Sequence, residues 1–458
     1  MSQPERMSPV ELRSTLSLAS IYGLRMLGMF LILPIFAIYA ETLPSGHDHF
    51  YIGLALGAYG LTQALFQLPF GMASDRFGRK TMIYIGLLIF AVGSFVAGTA
   101  DDIHTIIIGR AIQGAGAVSA AVTALVADLT REEHRTKAMA MIGGSIGITF
   151  ALSLILGPTL NQWIGVSGIF VLTGILALLA MLDIKYLVPN PEVSRFHSDT
   201  QAAPAKLGPV LQDTQLLRLN FGIFALHASH MAMFVVVPFA IKQTSGLSEN
   251  DHWMIYLPIM VISLVLMVPA IIVGEKKAKL KQVFVISVAV MLLAELAFGL
   301  MIDSFWGIMA ALTTFFIAFN VLEAIMPSTI SKQAPAAAKG TAIGVFNTAQ
   351  SLGIFVGGVS GGWLSSQYGY TAVFAFCGAL MVLWLVSVTT MRAPAAVRSR
   401  MYHLPEGHAY DAAQLSRHLA ALPGVKESVV LPAEGMVILK VDMQADWDDS
   451  AALQLIRG

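Results

Sequence analysis

Runs of about 20 apolar residues recur from the start of this chain to residue 390, separated by short polar breaks, and few folds are open to such a chain. Hydrocarbon offers no partner to a backbone N–H or C=O, so each run must satisfy its own backbone as an α-helix. The runs are read at 15–40, 51–73, 81–100, 104–128, 137–161, 166–188, 214–242, 250–274, 281–301, 305–331, 339–365 and 370–390. Only 12% of the 458 residues are charged, against about 25% in a soluble domain. The expected fold class is therefore an all-α membrane protein with twelve transmembrane helices, both ends of the set lying on one side.

Charge placement orients the set. Loops sharing one side hold Arg76, Arg79, Lys80, Arg131, Arg135, Lys137, Lys185, Arg195, Lys206, Arg218, Lys276, Lys277, Lys279, Lys281, Lys332 and Lys339, whereas those on the other side hold Lys242 alone. That bias places both termini in the cytoplasm, and the localisation expected is a bacterial inner membrane. The polar start, Met1 to Arg13, leads into an apolar stretch too long for a signal-peptide core and lacking a small-residue cleavage site, so the first run is expected to stay as a span. Net charge is zero and the basic residues form no patch, which argues against a nucleic-acid partner. A lone Cys377 excludes an internal disulfide framework and a cysteine-ligated metal cluster. No Walker loop, catalytic triad or metal-ligand cluster is visible, so no cofactor, no metal and no enzymatic activity are expected.

Between the second and third runs stands Gly71-Met72-Ala73-Ser74-Asp75-Arg76-Phe77-Gly78-Arg79-Lys80. The register of Gly71, Asp75, Arg76, Gly78, Arg79 and Lys80 resembles the G-x-L-a-D-R-x-G-R-K signature of the Major Facilitator Superfamily, with Ala73 where Leu is usual. Arg110, Gln113, Gly114 and Gly116 are similar to its fourth-helix R-x-x-q-G-x-g segment, which the resemblance links to proton coupling. Of the fifth-helix pattern g-x8-G-x3-G-P-x2-G-G, Gly144, Gly157 and Pro158 are present, while Ser153, Asn161 and Gln162 replace glycines. In the eleventh run Gly344, Gly353 and Gly357 lead a glycine series in which Gly144 matches Gly344 and Gly157 matches Gly357, as an internal repeat would produce.

The resemblance covers Thr15 to Thr390 and implies a drug:proton antiporter: six-helix halves at 1–188 and 214–390, a cytoplasmic linker at 189–213, small-molecule substrate, protons and a lipid bilayer as partners, and export by alternating access. The incomplete fifth-helix pattern keeps a proton symporter or uniporter for a sugar or organic acid as an alternative. A membrane ligand sensor is a second.

Physical reasoning assigns roles to the polar residues. Asp75 ends the second helix where the eleventh begins near Gly340, and a carboxylate beside a helix N-terminus is stabilised by about 0.3–1 kcal/mol. Arg79 is within reach of Asp128, and the group would latch the outward-facing state, unless its charges merely set topology. Ionisable residues inside hydrocarbon are expensive and default to functional hypotheses. Arg25, Arg110, Gln113, His227, His230, Asn320 and Glu323 lie in the first helix of each three-helix group and are the expected proton and substrate cavity. Arg25 and Glu323 fall at similar depths and are expected to pair, for transport or for structure. Glu295 is expected as an interfacial carboxylate, Gln63 and Gln67 as substrate contacts or interhelical glue, and Gly144, Gly157, Pro158, Gly353 and Gly357 as helix-packing residues. The 23 methionines, many beside Phe, suit adaptable apolar contacts, to ligand or to lipid.

After Met391 the composition becomes that of a soluble domain. A linker at 391–400 and a cytoplasmic ferredoxin-like α+β domain at 401–458 are expected, ordered βαββα from a strand at 401–404, a helix at 411–421, strands at 425–431 and 436–441 and a helix at 446–456. His403, His408 and His418 are read as surface histidines, and a small ligand or ion is a possible partner of this domain.

Overall fold

A computed structural model describes residues 7–191, 201, 203–276, 279–393, 397–405, 411–432, 435–442, 445 and 447–457. Helix α1 (Pro9–Phe30) starts on a capping box, Glu11 N donating to Ser8 Oγ at 3.2 Å and Ser8 N donating to the Glu11 carboxylate at 2.7 Å. A break at Leu31 and Ile32 leads into α2 (Leu33–Glu41), with Pro34 in the first turn, where a missing N–H breaks no helical bond. Gly78 alone joins α3 (His49–Phe77) to α4 (Arg79–Gly98), and its φ of 92° is strained for any residue with a Cβ. The fourth expected run is two pieces, α5 (Ile103–Ala115) and α6 (Ser119–Leu129). Asp102 caps α5, accepting from Thr105 Oγ1 at 2.6 Å and from the His104 and Thr105 amides, and these bonds hold its carboxyl below the usual aspartate range. In α7 (Glu132–Leu187), Gly165 at φ 67° separates two apolar arms.

A 3₁₀ turn (Pro204–Lys206) and α8 (Leu207–Gln212) occupy the expected linker, and Ala203 N donates to Thr341 Oγ1 at 2.9 Å, so part of this connection is ordered against the second half. There follow α9 (Thr214–Ser245), α10 (Trp253–Lys276), α11 (Leu280–Met301), α12 (Phe305–Gln333), α13 (Lys339–Tyr368) and α14 (Tyr370–Thr389). Among the described residues ten helical stretches are long and apolar enough to cross a membrane. Helix α3 is not one of them, because its glycines, Gln63 and Gln67 dilute its apolar content. One continuous apolar core joins the helices. Large side chains such as Leu65, Ile108, Trp163, Leu300 and Val386 are exposed on its outside, a surface that suits lipid and not water.

The C-terminal module runs β1 (Val397–His403), α15 (Ala412–Ala420), β2 (Val425–Leu431), β3 (Met436–Asp442) and α16 (Asp449–Arg457). Its antiparallel sheet has the order β1-β3-β2, with Met401 and Val429 both opposite Ile438. Strand β1 begins at Val397, so the sheet takes over the last residues of the expected 391–400 linker. Tyr402 OH donates to Asp449 Oδ1 at 2.7 Å, and burial together with that bond pushes the phenol above the ordinary tyrosine range. His408 lies outside the described residues.

Candidate functional site

The turn at Gly78 sets one polar network. Buried Arg79, at the first position of α4, reaches back to α3, where its Nη1 donates to Ser74 Oγ at 2.8 Å and contacts Asp75 Oδ1. It also reaches across to α6, where Nε lies 3.3 Å from Asp128 Oδ2. Lys80 Nζ donates to Val188 O at 2.5 Å, while Arg76 is exposed over the Phe77 ring. Gly71 approaches Ala120, where an added Cβ would sit 3.1 Å from the Ala120 Cβ. The N-terminal end of α13 is not what Asp75 meets in this conformation: Gly340 packs against the Gln201 backbone. On the same face Glu11 takes three hydrogen bonds from Arg131, from N at 2.9 Å and from Nε and Nη2 at 3.0 Å each. Sequence reasoning missed this clamp, whose only signal was an acid in the first turn of α1.

The two halves touch at the opposite end. A Cβ on Gly53 would stand 2.0 Å from Gly358 O, one on Gly60 2.6 Å from Ser351 O, and one on Gly362 2.4 Å from His49 O, so α3 and α13 are in backbone contact there. Asn161 Nδ2 donates to Asn250 Oδ1 at 2.7 Å, and His49 Nδ1 and Ser365 Oγ share a hydrogen bond at 2.6 Å. Midway, Phe150 of α7 closes on the other half, with ring centroids 5.4 Å from His230, 5.8 Å from Phe319 and 6.1 Å from Phe316. From there toward the Arg79 end the halves separate, and Cβ atoms on Gly143, Gly144 and Gly147 would meet nothing within 4 Å. Gly144 therefore borders open space and is not a packing glycine here. Gly157 does pack, since an added Cβ would stand 2.2 Å from Leu31 O, with Pro158 next to it inside α7, and Cβ atoms on Gly353 and Gly357 would stand 2.3 and 2.1 Å from Phe224 O and Ala228 O.

Inside the second half, His227 is buried on α9 with Nδ1 3.2 Å from Ile223 O, one helical turn back. Its Nε2 lies 2.7 Å from Gln350 Nε2 on α13 and 3.7 Å from Glu323 Oε2 on α12. When Nδ1 donates to the carbonyl, Nε2 is an acceptor for the Gln350 amide. His230 stacks on Phe319 at 4.4 Å, and Asn320 Nδ2 donates to Ser263 Oγ at 2.8 Å. Gln350 and Ser263 escaped sequence reasoning because uncharged polar residues are common within spans.

In the first half Arg25 does not pair with Glu323. Its Nη1 donates to Ser119 Oγ at 2.9 Å and its guanidinium carbon lies 5.6 Å from the centre of the Tyr59 ring. Arg110 lies 4.9 Å from the same ring centre, donating to Gln113 Oε1 at 2.9 Å, and Gln113 in turn donates to Ser94 Oγ at 2.8 Å. The shared depth of Arg25 and Glu323 carried no information about which way each helix is rotated. Glu295 is 1% exposed on α11 and so is not an interfacial carboxylate.

Two bundles of apolar helices around a polar, titratable interior, closed at one end and open at the other, define a multi-pass membrane transporter. The chain belongs to the Major Facilitator Superfamily, whose model matches residues 18–357 and 273–423. It is 42% identical over 437 residues to the inner membrane transport protein YajR of Escherichia coli, covering 95% of this chain and 96% of that one. It is 24% identical to multidrug resistance protein 1 of Bacillus subtilis, over 76% of this chain and 89% of the relative. Among solved structures, a bacterial homologue of the human lysosomal transporter Spinster shares the fold at a TM-score of 0.66 and 13% identity, over 83% of this chain and 97% of that one. Membership of this family and the likeness to a transport protein over nearly the whole length make the chain a transporter, not an enzyme.

Proposed function

We propose that the chain is a twelve-span, proton-coupled exporter of small organic solutes in the bacterial inner membrane, with both termini in the cytoplasm. The ten apolar stretches become twelve spans when the arms of α7 are counted apart and α3 is added. The end bearing Arg79, Arg131 and Lys339 is then cytoplasmic, and the conformation described is inward-open. The drug-resistance name of the Bacillus relative supports export of organic solutes. The sheet order β1-β3-β2 supports a ferredoxin-like reading of the C-terminal module.

One observation carries the proton coupling: His227 Nε2 is held between Gln350 and Glu323. A proton on Nε2 turns an acceptor into a donor, so the Gln350 amide must turn or withdraw, and Glu323 gains an ion pair. Because the three residues sit on α9, α13 and α12, one proton biases the relative position of three helices. When the open end closes, Asp75 and the N-terminus of α13 would approach, and the Asp75, Arg79, Asp128 group would latch the outward-open state.

The test is flux of a panel of labelled organic solutes in proteoliposomes under an imposed pH gradient. Solute efflux driven by inward proton movement is expected, with Glu323→Gln losing the gradient dependence while downhill exchange persists. Flux in the same direction as protons would make it a symporter, gradient-independent flux a uniporter, and binding without flux a sensor.

A further inference from the structure

We infer that Arg25, Arg110 and Tyr59 form a binding site for an anionic group inside the first half, and that the transported solute carries that negative charge. The site stands on geometry alone; only its assignment to the solute rests on the transport reading above.

Arg25 is 3% exposed and Arg110 is 0% exposed. Both lie over the one Tyr59 ring, at 5.6 and 4.9 Å. Arg25 spends Nη1 on Ser119, and its Nε and Nη2 have no hydrogen-bond partner. Arg110 spends Nη1 on Gln113 and Nε, at 3.4 Å, on Ala55 O, and its Nη2 has none. The buried Tyr59 hydroxyl is also without a partner.

Among the described residues no carboxylate is paired with either charge. Every Asp and Glu in residues 7–191 sits in a connecting turn or within the terminal turns of a helix, from Glu11 to Asp183, which accepts from Ser17 Oγ at 2.7 Å. A buried donor left unbonded is destabilising, and more so when it is charged. Two buried guanidiniums without a counter-ion are worse still. The Tyr59 ring offsets part of this by cation–π attraction, but it takes none of the orphaned N–H groups. A monoanion seated against these groups would answer both charges: the guanidinium forks match the two oxygens of a carboxylate, and the unpartnered Tyr59 hydroxyl is a further donor. An organic carboxylate and free chloride share this chemistry.

The experiment is thermal unfolding of the purified full-length protein at constant ionic strength with benzoate, chloride, benzamide or benzylamine as probes. Benzoate should raise the midpoint saturably, while neutral benzamide and cationic benzylamine should not. Arg25→Gln should abolish the shift, Arg110→Lys should weaken benzoate affinity about tenfold by removing a fork while keeping the charge, and Tyr59→Phe should weaken it several-fold. Without ligand, Arg25→Gln should melt no lower than wild type, because it removes an unanswered buried charge. Chloride stabilising with the same arginine dependence would keep the anion site and assign it to an inorganic ion, overturning the solute claim. Absence of any benzoate or chloride shift, an undiminished shift in Arg25→Gln, or a ligand-free Arg25→Gln protein that melts well below wild type would overturn the site. None of these readouts involves protons or flux, so their failure leaves the proton-coupling reading to stand or fall by itself.

Discussion

His227 Nε2 and Glu323 Oε2 lie 3.7 Å apart, and the amide of Gln350 reaches the same imidazole nitrogen at 2.7 Å. The nitrogen therefore has one partner suited to its neutral form and one suited to its charged form, on different helices. Loss of the amide should uncouple the two. Gln350→Ala removes one hydrogen bond worth about 1 kcal/mol, so the protein should insert normally while gradient-driven flux falls roughly five- to tenfold. Initial rates in vesicles check this, and unchanged rates would make Gln350 a packing residue.

The network at the Gly78 turn makes a different demand. Arg79 is nearly buried, and its guanidinium holds Ser74, Asp75 and Asp128 together across α3, α4 and α6. Arg79→Ala takes a charge partner from buried Asp128, and breaking a buried pair typically costs about 3–5 kcal/mol. The thermal midpoint should drop by several degrees. Asp75→Asn, at a more exposed position, should leave the midpoint within about a degree of wild type and instead depress transport. Equal stability of the two variants, read by unfolding of the purified proteins, would show the network to be indifferent to charge.

What the sequence could reveal here follows from what each inference required. The apolar runs needed only hydropathy, and helix order and length are close to those expected. The approach of Arg79 to Asp128 needed only that both residues lie at the same ends of neighbouring helices. The pairing of Arg25 needed more, because depth along a helix leaves its rotation free, and that rotation turns Arg25 toward Ser119 and Tyr59. The breaks at Leu31–Ile32 and Gly116–Val118 leave hydropathy unchanged and are invisible to it. Gly144 matches a packing pattern yet borders open space, because whether a glycine packs depends on which conformation the halves adopt.

The glycine contact between α3 and α13 should decide that conformation. With its ideal Cβ 2.0 Å from Gly358 O, Gly53 has no room for a side chain while the helices touch. Gly53→Val should therefore push the halves apart at that end and favour the opposite conformation. A cysteine replacing Asn250, whose side chain now bonds Asn161, should react with a membrane-impermeant maleimide several-fold faster in the Gly53→Val background. Native Cys377 is fully buried and contributes no background. Identical labelling rates would mean the contact does not set the equilibrium.

The C-terminal module meets both halves at their open end. Lys440, in the central strand β3, donates to Ala334 O at 2.6 Å and Lys332 O at 3.1 Å, just past and at the end of α12, and pairs with Glu427 at 2.8 Å. Glu427 accepts from Ala336 N at 3.0 Å, and Ala336 packs with Met436 and Ile438. On the other half, Arg135 Nη1 of α7 lies 4.0 Å from the Met436 sulfur. A body resting on both halves must yield when that end closes, so it should tune the conformational equilibrium without supplying the transport path. Lys440→Ala removes charge-assisted bonds worth about 1.5–3 kcal/mol, which should speed amide exchange at Ala336 by roughly ten- to a hundredfold while leaving exchange within α9 unchanged. Truncation after Met391 should then give an inserted protein with residual transport and a shifted dependence on the pH gradient. A properly inserted truncation with no transport at all would place the module in the transport machinery itself.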